Sequence, residues 1–148
     1  MDFQTTLQIL TAAVAATSVM TLCSYAVSAA AREIYKEPLL LTYVLSKLHQ
    51  QISPKLKLVL GWVLHYLIGL FFVIGYHIIW SANILDFTFT SSLILGIVSG
   101  IIGISGWVVL FRISAQKPNI DYKGYYIQLF VVHVIFAVTA YVVYELFL

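Results

Sequence analysis

Two histidines in matched surroundings are the residues of this sequence best placed to do chemistry. One set reads Trp62, His65, Gly69, Tyr76 and the other Phe130, His133, Ala137, Tyr144. Each is an aromatic, a His three residues on, a small residue four further and a Tyr seven beyond that. The second set repeats the first 68 residues later (65 to 133). Offsets of three, four and seven stack on one face of an α-helix, so each set forms a continuous stripe. Two neutral imidazoles facing one another inside a helical bundle can ligate haem iron, because the ring nitrogen donates an electron pair without burying a charge. On that reading His65 and His133 hold a b-type haem, Gly69 and Ala137 make room for the macrocycle, and Tyr76 and Tyr144 belong to the same cofactor face. A quinone-associated electron carrier is the related use. The plainer use is structural: each His bonds a carbonyl, a hydroxyl or the other His and fastens the two halves of the chain together.

Other chemistry leaves little trace. There is no HExxH, no nucleophile elbow and no phosphate-cradling loop. Ser18, Thr21 and Ser24 lie in an apolar run, where such hydroxyls usually bond their own helix backbone. The single Cys23 excludes an internal disulfide and any CxxC pattern, and no metal site is expected. His77 falls about 120° from the stripe, near the end of its run, and reads as solvated. His49 reads as a surface residue. No Asp or Glu lies deep in an apolar run, since Glu145 comes in the last turn. That counts against a proton-coupled exporter, which needs an exchangeable intramembrane charge.

The elements that carry the stripes must be membrane helices. The chain is 61% hydrophobic and 9% charged, too few charges to cover a water-facing surface, for which about a quarter is usual. Four apolar runs fill most of it, near Leu7–Ala31, Lys57–Trp80, Thr90–Phe111 and Tyr125–Phe147. Each is roughly 22 to 25 residues, long enough to span about 30 Å of hydrocarbon. None alternates with period two, which excludes a β-barrel. All eight Lys and Arg residues fall in two connections: Arg32, Lys36, Lys47, Lys55 and Lys57 in one, Arg112, Lys117 and Lys123 in the other. Ser81–Thr90 and both termini hold none. Basic residues are retained on the cytoplasmic side, so loops 32–56 and 112–124 are expected there and both termini outside. The net charge of +2 therefore speaks for topology and anionic headgroups, not for nucleic acid.

The first run is read as a retained helix. Its leading segment carries Asp2 and no basic residue, unlike a signal peptide, although Ala29-Ala30-Ala31 looks like a cleavage site. Trp80, Phe87 and Phe89 read as interfacial at one end, and Trp62, Trp107, Tyr122, Tyr125 and Tyr126 at the other. The first basic connection holds Leu41, Val44, Leu45, Leu48 and Ile52 at helical spacing, opposed by Thr42, Lys47, Gln50 and Gln51. This predicts an amphipathic helix near 38–52, started by Pro38 and lying on the membrane surface. Small residues four apart, Ala12 and Ala16 in the first run and Gly96 and Gly100 in the third, predict close backbone approach. Packing within the chain is the ordinary use of such faces, and a homodimer seam is the alternative.

The segments Ala16-Thr17-Ser18-Val19-Met20-Thr21, Gly61-Trp62-Val63-Leu64-His65-Tyr66-Leu67-Ile68-Gly69 and Val132-His133-Val134-Ile135-Phe136-Ala137 resemble marks of bacterial four-helix membrane families of unknown function. Those families show an "AT-VMT" element in helix one, "GW--H---G" in helix two, a Gly-rich third helix and a His-led fourth. This sequence departs from them with Ala137 where Gly is frequent and with no Pro after Met20. The resemblance implies four helices in a bacterial inner membrane and implies no activity.

Together these readings predict an all-α membrane protein over residues 1–148. It is an up-down bundle of four transmembrane helices in one domain, built from two repeated helical hairpins if the stripes reflect a duplication. The expected role is a non-catalytic scaffold or accessory subunit in the bilayer, as a homodimer or part of a larger complex, with haem-based electron transfer through His65 and His133 as the alternative.

Overall fold

The computed structural model describes residues 3–48, 51–114 and 117–147. Five helices account for nearly all of them: α1 (Phe3–Ala31), α2 (Glu37–Leu48), α3 (Pro54–Ser81), α4 (Phe89–Ile113) and α5 (Tyr122–Glu145). All but α2 are long and apolar enough to cross a membrane. They are the four apolar runs, shifted at their ends by local capping chemistry. Pro54 opens α3 where no backbone N–H is needed, and the Ser53 hydroxyl accepts the Leu56 N–H at 3.4 Å. Thr88 and Ser91 cap α4 reciprocally, and the Asp121 carboxylate accepts the Gly124 N–H at the start of α5. α1 and α3 stop in the same way. Arg32 (φ 56°) and Asn83 (φ 54°) turn left-handed, and the next residues donate back to Ser28 and Ile79 carbonyls.

Small residues decide which helices touch. α1 packs against both α3 and α5, α4 packs against α5, and α2 packs against α3. Ala12, Ala13 and Ala16 are buried in the α1 contacts. A Cβ on Gly96 would stand 2.7 Å from the Val134 Cα, and one on Gly100 would stand 2.9 Å from the Phe130 ring, so α4 lies directly on α5. The small-residue faces are thus taken up within the chain, and the stretches offered as a homodimer seam are buried in it.

α3 and α4 are not a closely packed pair. At the end away from the basic loops they are joined by side chains: Tyr76 Oη donates to Ser99 Oγ at 2.8 Å and Trp80 Nε1 donates to Ser91 Oγ at 3.1 Å. Trp80 packs edge-on to Phe87 (5.1 Å) and Tyr144 (5.3 Å), and Phe87 lies 4.8 Å from Tyr141. Trp80, Trp107 and Tyr125 are buried. They are core residues at the two ends of the bundle and not the interfacial anchors that their positions suggested.

The connector forms a helix where its apolar spacing predicted one, and turns the start of that helix inward. α2 begins at Glu37, and Glu37, Leu40, Leu41 and Val44 are buried. A Cβ on Gly61 of α3 would stand 2.6 Å from the Pro38 carbonyl, so the first turn of α2 sits against α3. A helix lying on the membrane surface would keep its polar N-terminus in water. This one is drawn inward because Gly61 leaves room for it and because Glu37 finds partners inside. His49 and Gln50 lie outside the described residues.

Candidate functional site

The inward turn of α2 builds a polar knot at the basic end. Ser24 Oγ donates to Glu37 Oε1 at 2.8 Å, and Gln128 Nε2 donates to Ser24 Oγ at 2.6 Å and to Glu37 Oε1 at 3.4 Å. Glu37 is 2% exposed. Its Oε2 has no hydrogen-bond partner, and neither do Gln128 Oε1, Tyr125 Oη and Thr17 Oγ1, all of them buried. Removing these atoms from water without a partner costs free energy that a ligand or ordered water would recover. Burial pushes the Glu37 carboxyl from its ordinary 4.5 up to about 7, against the opposing pull of its own backbone N–H, Ser24 and Gln128.

Glu37 lines a cavity of about 190 Å³. His65, Gly69 and Phe72 of α3, Gly103, Gly106 and Trp107 of α4, and His133 and Phe136 of α5 form the walls, with Thr17 and Met20 of α1 behind them. The space exists because α3 and α4 stand apart and because Gly103 and Gly106 bring no side chains into it. A Cβ on Gly106 would meet nothing within 4 Å. Ile68 and Ile102, also in the wall, are exposed on the outer surface of the bundle, so the cavity reaches the face that hydrocarbon would cover.

Both stripe histidines are buried at this cavity, so the repeat does bring His65 and His133 to one place. Their bonds differ. His133 Nδ1 lies 2.7 Å from the Leu129 carbonyl, which only accepts, so Nδ1 carries the proton and Nε2 keeps a lone pair beside Gly103. Thr21 Oγ1 donates its one proton to the Thr17 carbonyl at 2.6 Å and lies 2.8 Å from His65 Nε2. His65 Nε2 must therefore donate to Thr21, which leaves Nδ1 as an acceptor. Neither ring bonds the other. The fastening of one hairpin to the other that the paired histidines suggested is absent from these contacts: His65 ties α3 to α1, and His133 ties back to its own helix.

No family model, curated protein or solved structure matches the chain. What the site can do is therefore argued from its own residues. The places expected to admit a macrocycle are filled with protein: a Cβ on Gly69 would collide with Thr17 Oγ1, and Ala137 packs against Gly96. A cavity of about 190 Å³ is also smaller than the ~300 Å³ at the low end of ordinary cofactor pockets. Tyr76 is engaged with Ser99, and Tyr144 lies in the aromatic cluster at the far end, 6.1 Å from His77. Among the described residues no three His, Cys, Asp or Glu side chains converge as a metal would need.

The residues missed in the sequence are Glu37, Ser24, Gln128 and Thr17. Gln128 alone left a visible signal, as an amide inside the fourth apolar run. The absence of Asp and Glu from the depths of the apolar runs did not extend to the connectors. Glu37 reaches the interior from a connector, and no search of the spans themselves would have met it.

Proposed function

We propose that the protein is a non-catalytic, multi-pass protein of a cytoplasmic membrane that holds a small molecule in the cavity between α3, α4 and α5, alone or as an accessory subunit of a larger membrane complex. The observation that carries this reading is the Glu37 carboxyl, buried at the cavity with one oxygen bonded and the other without a partner. A scaffold alone has no use for such a group, which costs stability wherever it is ionised. The one hydroxyl seen beside an imidazole there, Thr21 at His65, donates its proton to the Thr17 carbonyl and so is not activated as a nucleophile by that base. The Glu37 end of the bundle is read as the cytoplasmic end, because Lys and Arg in the loops around α2 and between α4 and α5 are retained on that side.

Two measurements test this. In a Cys23→Ser background, single cysteines at Lys47 and Lys117 should be labelled from one side of sealed vesicles and a cysteine at Asn83 from the other. Labelling of Lys47 and Lys117 from opposite sides would end the orientation. For the cavity, a panel of small apolar and amphiphilic molecules should raise the melting temperature of the wild type more than that of Gly106→Leu, in which the space is filled. Equal response of the two proteins to every molecule would remove the binding reading.

A further inference from the structure

We infer that the cavity takes a small primary alkylamine, bound as its ammonium ion against the free oxygen of Glu37, with its carbon chain among Phe72, Trp107 and Phe136. This rests on the cavity-binding reading above and names the ligand class.

Apart from the Thr17 hydroxyl, which has a proton and no partner for it, the polar groups at the cavity are acceptors. Glu37 Oε1 already accepts from Ser24 and Gln128, which leaves Oε2. His133 has its proton on Nδ1, directed at the Leu129 carbonyl, and offers only the Nε2 lone pair. His65 gives its proton to Thr21 and offers only Nδ1. A ligand that fits such a wall brings more N–H donors than acceptors. An alkylammonium head has three donors, and its positive charge meets the one carboxyl in the cavity with a charge-assisted bond.

Size and wall chemistry fix the rest of the molecule. About 190 Å³ compares with the ~150 Å³ apolar cavity that admits benzene, so a chain of a few carbons fits and a macrocycle does not. The aromatic wall of Phe72, Trp107 and Phe136 accommodates methylenes.

The mouth between Ile68 and Ile102 lies on the hydrocarbon-facing surface, where an amine would travel in its neutral form. Because Oε1 is occupied, a proton on the carboxyl resides on Oε2. On arrival the Oε2–H bond breaks and an N–H bond forms, giving carboxylate and ammonium with no net uptake or release of protons. An amine already charged in water instead displaces that proton to solvent. The other titratable groups around Glu37 are Tyr25 of α1 and Tyr125 of α5, which interact with it electrostatically. His65 and His133 stand in the cavity wall, and Lys57 shares the buried face of α3 with Gly61 and His65.

The test is isothermal titration of the full chain in mild detergent with propylammonium, tetramethylammonium and 1-propanol as probes. Propylammonium should bind, and its affinity should rise about tenfold from pH 6 to pH 8 as the Glu37 proton, exchanging near 7, ceases to compete. Tetramethylammonium, with the same charge and no N–H, and propanol, with the same chain and no charge, should bind at least about tenfold more weakly. Glu37→Gln should abolish the preference for propylammonium and its pH dependence, and Gly106→Leu should abolish binding of all three. Propanol or tetramethylammonium binding as tightly as propylammonium would overturn the amine while leaving a ligand-binding cavity. Failure of every probe, with wild type and Gly106→Leu alike, would overturn both. Should Glu37→Gln not fold, the pH profile and the three-probe ranking of the wild type decide alone.

Discussion

The two ends of the bundle are built on opposite terms. At the end away from the basic loops, polar atoms are matched across α3 and α4 by Tyr76 with Ser99 and Trp80 with Ser91, and the rings of Trp80, Phe87, Tyr141 and Tyr144 fill the remaining space. Among the described residues there, Tyr144 Oη is the buried polar atom left without a partner. At the basic end the same two helices stand apart around a cavity, and the buried atoms without partners accumulate: Glu37 Oε2, Gln128 Oε1, Tyr125 Oη and, deeper, Thr17 Oγ1. The difference teaches that tight polar pairing and open space are separated along the length of the bundle. One end holds the helices in register, and that lets the other leave a buried carboxyl oxygen without a partner beside a void.

The comparison is broken most severely at the α4–α5 contact that serves both ends. Gly96→Leu forces a side chain into the Val134 backbone, which cannot move aside, and should cost about 3 kcal/mol or more. Loss of a monodisperse peak in mild detergent would report it; an unchanged melting temperature would show that α4 and α5 are not in contact there.

Next in size is the acid at the open end. Glu37 holds its proton to about 7 in the folded chain and to 4.5 ordinarily, so between those values the unfolded chain has released a proton that the folded chain still carries. Stability should therefore be highest below about 4.5, fall as pH rises to 7 and stay level above it. Glu37→Gln should remove the slope and stabilise the protein at pH 8 by as much as about 3 kcal/mol, with no gain at pH 4. Melting curves at the two pH values read this directly, and parallel curves for wild type and variant would contradict it.

At the closed end, Tyr76→Phe should cost about 0.6 to 1 kcal/mol, the ordinary worth of one intramembrane hydrogen bond, with no change in pH dependence. Smallest is Gly106→Ala, which adds a methyl group where nothing lies within 4 Å and should change stability by about 0.5 kcal/mol or less, toward gain. A loss above 1 kcal/mol there would mean that the void is closed.

The stripes were legible because helical spacing alone puts His65 with Gly69 and Tyr76, and His133 with Ala137 and Tyr144, on faces that turned out buried. What the histidines bond was not legible. Thr21 lies 44 residues from His65, and the Leu129 carbonyl competes for His133 from within its own helix. Glu37 was hidden for a related reason. It stands beside Arg32, Lys36 and Pro38 at the start of a helix read as lying on the membrane surface, and Gly61, Ser24 and Gln128, on three other helices, draw it inside.

Composition and periodicity by themselves determined four membrane-length helices and the buried stripes on two of them. Those properties follow from how each stretch of chain meets hydrocarbon or water, a local matter of a residue and its near neighbours. Which helix pairs close, where the cavity opens and that a connector carboxyl sits at it were decided only in the tertiary structure. These depend on whether a few small residues far apart in the chain let backbones meet, and on which buried donors remain for an acid once every helix has satisfied its own.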